Sequence, residues 1–223
     1  MSKGKFIAFE GLDGSGKTTQ ARRLRDRIND YLIHNNSSIV CELQEEPYHG
    51  DVIGGVIRSV LSGQTIMPED SLAYLYVSNR LTHISTMLPK LATGNHIICD
   101  RYYFSNFAYN QTNNVSLEDI IALNKLCIQE LQPEVTFYLY VSPEIAEKRR
   151  GINRRSVELN DSREKQLQVY NNFEFIMDKF SDNNYELHHN ICKIDCDHLT
   201  EDMVADAIWD YLTTNIFPNR IFF

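Results

Sequence analysis

Eight consecutive residues, Gly11-Leu12-Asp13-Gly14-Ser15-Gly16-Lys17-Thr18, match the pattern G-x-x-x-x-G-K-[ST] at every defined position. Glycines at these places let the backbone curl, so that successive N–H groups point inward at phosphate oxygens. A helix beginning at the last glycine brings its positive end to the same point. Lys17 then reaches the β- and γ-phosphates of a nucleoside triphosphate, and the Thr18 hydroxyl is placed to ligand Mg2+. The residues from Gly11 to Thr19 (Gly11, Leu12, Asp13, Gly14, Ser15, Gly16, Lys17, Thr18, Thr19) are the expected ATP cradle.

The elements that would position this loop follow from apolar periodicity. Lys5–Glu10 reads as a strand ahead of the loop, and Gly16–His34 as a helix behind it, with Ala21, Leu24, Ile28, Tyr31 and Leu32 on one face. Further strands are expected at Ser38–Leu43, His96–Cys99, Val135–Val141 and Ile191–Ile194. Helices are expected at Asp51–Leu61, Glu69–Leu91, Leu117–Leu131, from Ser142 onward, and at Glu201–Thr214. Ser142 and Pro143 are a favourable N-cap and first helical residue.

Continuous apolar strands separated by helices predict an α/β fold, with a parallel sheet covered on both faces. Ligands in such sheets bind at the carboxyl ends of the strands. The polar clusters fall there: Glu10–Thr19, Glu45–His49, Asp100–Arg101 and the stretch after Val141. The arginine-rich segment from Lys148 to Arg163 reads as a flap. The histidines show no metal spacing.

The 223 residues suit one compact domain, spanning 1–223, with a small lid at about 148–163. A net charge of −8 argues against broad nucleic-acid binding, which needs a basic face. Five cysteines, an odd number with neither zinc nor disulfide spacing, suggest reduced thiols in a cytoplasmic protein. The opening MSKGKFIAFEG is too short in apolar residues for a signal peptide or a membrane span, so no membrane association is expected.

A phosphate cradle alone does not separate kinases from GTPases, motors or binding switches. Four segments together are more specific. FEGLDGSGKTTQ (Phe9–Gln20), LYVSNRLTHI (Leu75–Ile84), DRYYFSNFAY (Asp100–Tyr109) and SPEIAEKRRGINRRSVELND (Ser142–Asp161) resemble, in order and spacing, the thymidylate kinase family of P-loop nucleoside monophosphate kinases. The resemblance runs from Lys5 to about Tyr170. It implies a P-loop NTPase fold with a five-stranded parallel sheet, a lid and a homodimer. It also implies transfer of the γ-phosphoryl of ATP onto dTMP to give dTDP, the precursor of dTTP.

The resemblance gives residues roles that also make physical sense. Asp13 would contact the acceptor sugar, and Arg101 would hold phosphate oxygens and stabilise charge in transfer. Asp100 would orient magnesium-bound water. Arg80 and Arg58 would clamp the acceptor, Tyr76 would stack on the pyrimidine, and Ser105, Tyr109 and Pro47 would line its pocket. The loop lacks the arginine that some family members carry beside the second glycine, which directs attention to lid arginines. Arg149, Arg150, Arg154 and Arg155 qualify, with Arg154 and Arg155 the preferred catalytic pair. No general base is required, because the acceptor is already an anionic phosphate.

The sequence departs from the family at Glu45, where many relatives carry arginine, and at His49, where others do. Asn110 stands in place of a glutamine common in bacterial relatives. The alternatives to dTMP are another nucleoside or nucleoside monophosphate as acceptor, or a non-catalytic nucleotide-binding module. A GTPase switch would need an Asn-Lys-x-Asp run, and Asn124-Lys125 is followed by Leu126-Cys127.

Overall fold

The structure, a computed structural model, describes residues 3–153 and 162–218. Its strands are β1 (Phe6–Glu10), β2 (Cys41–Glu45), β3 (His96–Asp100), β4 (Val135–Tyr140) and β5 (Ile191–Asp195). The helices are α1 (Lys17–His34), α2 (Val52–Leu61), α3 (Glu69–Ala92), α4 (Tyr103–Tyr109), α5 (Leu117–Glu130), α6 (Pro143–Asn153), α7 (Arg163–Ser181) and α8 (Glu201–Tyr211). A π-helical turn, Leu212–Ile216, extends α8.

The strands form one parallel sheet in the order β2-β3-β1-β4-β5. β1 is central, pairing Phe9 with Asp100 on one side and with Phe137 on the other. All five of its residues are buried, as a strand covered on both faces requires. α1 packs on β1, β2 and β3 and beside α8, while α4 packs beside α5 and α7. The chain reverses its direction of strand addition at β1, and the loops after β1 and β3 therefore open side by side at one edge of the sheet.

Three elements differ from the sequence expectation. β2 begins at Cys41, three residues later than expected, and ends at Glu45. It is an edge strand whose outward residues Glu42, Gln44 and Glu45 are polar, so its apolar run does not mark its bounds. α4 is buried almost all round and has no amphipathic period to betray it, although the family resemblance includes a helix there. α7 is absent from the helices expected on periodicity, yet Val169, Phe173, Ile176, Met177 and Phe180 form its buried stripe. Four cysteines are buried and Cys192 is half-buried, all of them free thiols.

Candidate active site

The loop between β1 and α1 has the backbone that its glycines predict. Gly11, Gly14 and Gly16 all have positive φ. At Gly14 a Cβ would come within 2.7 Å of the Ala146 carbonyl on α6, and at Gly11 within 2.5 Å of the Leu139 carbonyl on β4. Neither position admits a side chain. No side chain caps α1, so its first N–H groups remain available to an anion. Lys17 is 5% exposed, and its ammonium donates to the Leu12 carbonyl at 2.7 Å. Burial, reinforced by Arg101, lowers its pKa to about 8. A polyphosphate at this place would add its negative charge to that of Asp13, Asp100 and Glu10, which already favour the charged ammonium.

Thr18, in the first turn of α1, donates its hydroxyl to Asp100 Oδ2 at the end of β3, 2.5 Å away. Asp100 Oδ1 is buried and has no hydrogen-bond partner. A hydroxyl oxygen beside a carboxylate with an unused oxygen is a hard-donor pair that fits Mg2+.

Arg101 follows in the left-handed conformation, φ 71°, which is strained for a residue with a side chain. Its N–H donates to the Phe9 carbonyl at 2.9 Å. Its guanidinium donates to the Asp13 carboxylate, to Ser105 Oγ at 3.0 Å and to the Gly11 carbonyl at 3.5 Å. Burial opposes its charge, and the surrounding acidic groups, Asp13 foremost with Tyr109, Asp100 and Glu10, together outweigh that, so its pKa is raised. The Tyr109 hydroxyl donates to the other Asp13 oxygen at 3.3 Å. Asp13, Arg101, Ser105 and Tyr109 are thus brought together.

Glu10 holds this turn in place. Its position at a strand end is legible in the sequence, but its role is not. It is fully buried and accepts the N–H groups of Tyr102 at 2.8 Å and Ser105 at 3.1 Å, together with the Ser105 hydroxyl. Desolvation raises its pKa to about 7.

Two clefts meet here. One, of about 650 Å³, runs from Gly14–Gln20 past Arg149 to Cys196, Leu199 and Val204. The other, of about 230 Å³, holds every residue expected for the acceptor: Asp13, Pro47, Arg58, Tyr76, Arg80, Arg101, Ser105 and Tyr109. The clefts share Asp13, Thr18, Asp100 and Arg101. Gly11 and Leu12 lie buried beneath the first cleft and do not line it.

Arg80 is only 1% exposed, and its guanidinium is largely committed. It gives Nε–H to Glu46 at 2.8 Å and pairs a second nitrogen with the same carboxylate at 2.7 Å. A third nitrogen donates to Asn124 at 2.5 Å and to Asn106 Oδ1 at 3.4 Å. His83, fully buried, completes the cluster at 3.2 Å from Glu46 and stacks on Tyr48. This network joins residues far apart in sequence, and no local pattern announces it. Glu45, at the family's arginine position, lies 2.9 Å from His49, whose same ring nitrogen is 2.6 Å from Arg58. The departures at Glu45 and His49 therefore form one cluster with Arg58 at the cleft mouth.

On the lid side, Arg150 donates to the Asp13 carbonyl at 3.0 Å and to Gln166 Oε1 at 2.7 Å, placing a guanidinium over the loop. Arg149 donates to the Cys196 carbonyl at 2.7 Å, across the far end of the first cleft. Arg154 and Arg155 lie outside the described residues. Among the described residues, no cluster of His, Cys, Asp and Glu could hold a metal ion by itself.

Comparison with known proteins agrees with this geometry. Residues 9–207 match the thymidylate kinase family model. A probable thymidylate kinase of Methanococcus aeolicus is 39% identical over 160 residues, 72% of each chain. One from Methanocaldococcus jannaschii is 30% identical over 85% of this chain and 94% of its own. The solved thymidylate kinase of Candida albicans superposes with a TM-score of 0.77 at 25% identity, covering 96% of this chain and 93% of that one. That of Ehrlichia chaffeensis gives a TM-score of 0.70 at 25% identity, over 95% and 99%. The chain belongs to the thymidylate kinase family.

Proposed function

We propose that this protein transfers the terminal phosphoryl group of ATP to dTMP, releasing ADP and dTDP. The observation that carries the reading is the shared wall of the two clefts: Asp13, Thr18, Asp100 and Arg101 border both. In-line transfer between two phosphates needs donor and acceptor to meet at one place, with cations around the transferred group. A binding module would have no use for the second cleft.

In this reading the first cleft takes ATP, with its phosphates on the loop and its base between Arg149 and the apolar residues Leu199 and Val204. Lys17 leaves the Leu12 carbonyl for the phosphates. The second cleft takes dTMP. Tyr76, half-buried and with its hydroxyl pKa pushed up to about 12 by burial, offers a ring to the base. Asp13 faces the sugar, while Arg101 and Arg58 face the acceptor phosphate. Glu10 sets the turn that aims Arg101. The developing charge is met by Lys17, Arg101 and Arg150, together with the lid arginines Arg154 and Arg155 that the family resemblance implies. Thr18 and Asp100 would hold Mg2+, which when bound neutralises phosphate charge.

The chain is read as one domain with a lid at about 148–163, as a homodimer after its family, and as cytoplasmic. Five free thiols support the last point. No described helix is long and apolar enough to cross a membrane.

The test is ADP release with ATP and magnesium over a panel of dTMP, dUMP, dCMP, dGMP, UMP and thymidine. A clear preference for dTMP is expected. Preference for thymidine or another monophosphate would discard the acceptor and keep the kinase. ATP binding without transfer to any of them would favour the binding module.

A further inference from the structure

Behind the acceptor cleft lies a directed chain of side-chain amides. Its first member, Asn124 on α5, is fully buried and lines neither cleft. Its Oδ1 accepts from Arg80 at 2.5 Å. A guanidinium can only donate, so this contact decides which end of the Asn124 amide faces it. The Asn124 Nδ2 must then donate on the far side. It does so to the Ile120 carbonyl at 2.9 Å and to Asn106 Oδ1 at 2.8 Å. Asn106 Oδ1 is thereby used, with a longer second contact from Arg80 at 3.4 Å, and its Nδ2 donates to Asn110 Oδ1 at 3.0 Å. Asn110 Oδ1 is used in turn, which leaves Asn110 with its NH2 group as the end of the chain. Arg80, Asn106 and Asn110 all border the acceptor cleft.

Each amide on its own could face either way at little cost. Here one buried cation, held by Glu46 at its other edge, fixes the direction of all three. The cleft wall then presents donors. It suits a base edge carrying carbonyl oxygens and opposes one carrying an amino group, because two facing donors leave buried polar groups unpaired.

We propose that Asn124 is the positioning residue for acceptor-base selection: it seats Arg80 and, together with Arg80, sets the donor direction of Asn106 and Asn110, so that the site reads a base carbonyl and rejects a base amino group. The proposal rests on the reading of the second cleft as the acceptor site.

The test compares wild type with Asn124→Leu and Asn124→Asp. It measures kcat and KM for dTMP and dCMP at saturating ATP, KM for ATP, and the thermal midpoint. Leucine keeps the γ-branched skeleton, at a larger volume, and removes both ends of the amide. It is expected to raise KM for dTMP by about tenfold or more while leaving kcat within about threefold. Aspartate still accepts from Arg80 but cannot donate to Asn106, which is then held only by the longer contact from Arg80. It is expected to leave KM for dTMP nearer the wild type and to lower the dTMP-over-dCMP ratio of kcat/KM by about tenfold. KM for ATP should not move in either.

Folded variants with the wild-type KM and the wild-type ratio would overturn the role of Asn124. Equal losses with both acceptors and with ATP would overturn it too, since packing alone would produce them. If the leucine variant does not fold, the ratio measured on the aspartate variant decides. If the wild type prefers another monophosphate to dTMP, the reading of function fails first. The same carbonyl-against-amino ratio on that acceptor's base then decides the role of Asn124 separately.

Discussion

Arg101 donates to the carboxylate of Asp13, joining the end of β3 to the middle of the phosphate loop. The pair stands on the wall that both clefts share. Asp13 orients the guanidinium, and Ser105 and the Gly11 carbonyl hold its other nitrogen. Arg101→Lys keeps a charge and loses this fork. We expect kcat/KM for dTMP to fall by about 10²–10³-fold, with nucleotide binding to the loop retained. A change within about threefold would remove Arg101 from the transfer step.

Thr18 and Asp100 lead to a prediction about the metal. Asp100→Asn leaves an acceptor for the Thr18 hydroxyl and removes the charge. The magnesium concentration giving half-maximal rate should rise by about tenfold or more. An unchanged magnesium dependence, at whatever maximal rate, would place the ion elsewhere.

Glu10 makes the stability of the free protein fall with pH. Its pKa is raised from 4.5 to about 7 in the fold, chiefly by burial. Between those values the native state holds a proton that the unfolded chain gives up. This group's contribution is therefore most favourable below 4.5, declines as pH rises through about 7, and is level above it. Glu10→Gln has the same shape and no such titration. Relative to wild type, the variant should gain on the order of 3 kcal/mol between the two ends of that window, because each pH unit crossed there contributes about 1.4 kcal/mol. Denaturant unfolding at several pH values measures it, and parallel curves for the two proteins would contradict it.

The lid side is tested by separating two groups of arginines. Arg150 already touches the loop at the Asp13 carbonyl. Arg154→Ala with Arg155→Ala should lower kcat far more than it raises KM for dTMP, as loss of charge stabilisation in transfer requires. If Arg150→Ala alone reproduces that split while the double variant does not, Arg150 supplies the transfer charge.

The parts of this site that are contiguous in sequence are legible there. The loop from Gly11 to Thr19 announces itself because its chemistry needs consecutive backbone groups. β1, β3 and β4 are legible because burial on both faces leaves an unbroken apolar run. β2 lies three residues from its expected start because an edge strand escapes that rule. The stripe of α7 is present in the sequence, but it follows a polar arginine-rich segment that reads as a flap and hides the helix behind it. The pairing of Arg80 with Glu46 and Asn124 is not legible at all. It spans 34 and 44 positions and depends on how α3, α5 and the end of β2 pack. Sequence pattern reports what a residue's own element needs, and this cluster answers to three elements at once.

The central claim is that the two clefts exchange one phosphoryl group. The most direct measurement follows γ-labelled ATP with dTMP and magnesium and identifies the labelled product by chromatography, for wild type and Lys17→Ala. The account predicts that the wild type moves the label to dTDP in step with ADP formation. It predicts that Lys17→Ala, if folded, loses transfer by on the order of 10³-fold or more. Label released as free phosphate without dTDP, or near-normal dTDP formation by Lys17→Ala, would contradict it.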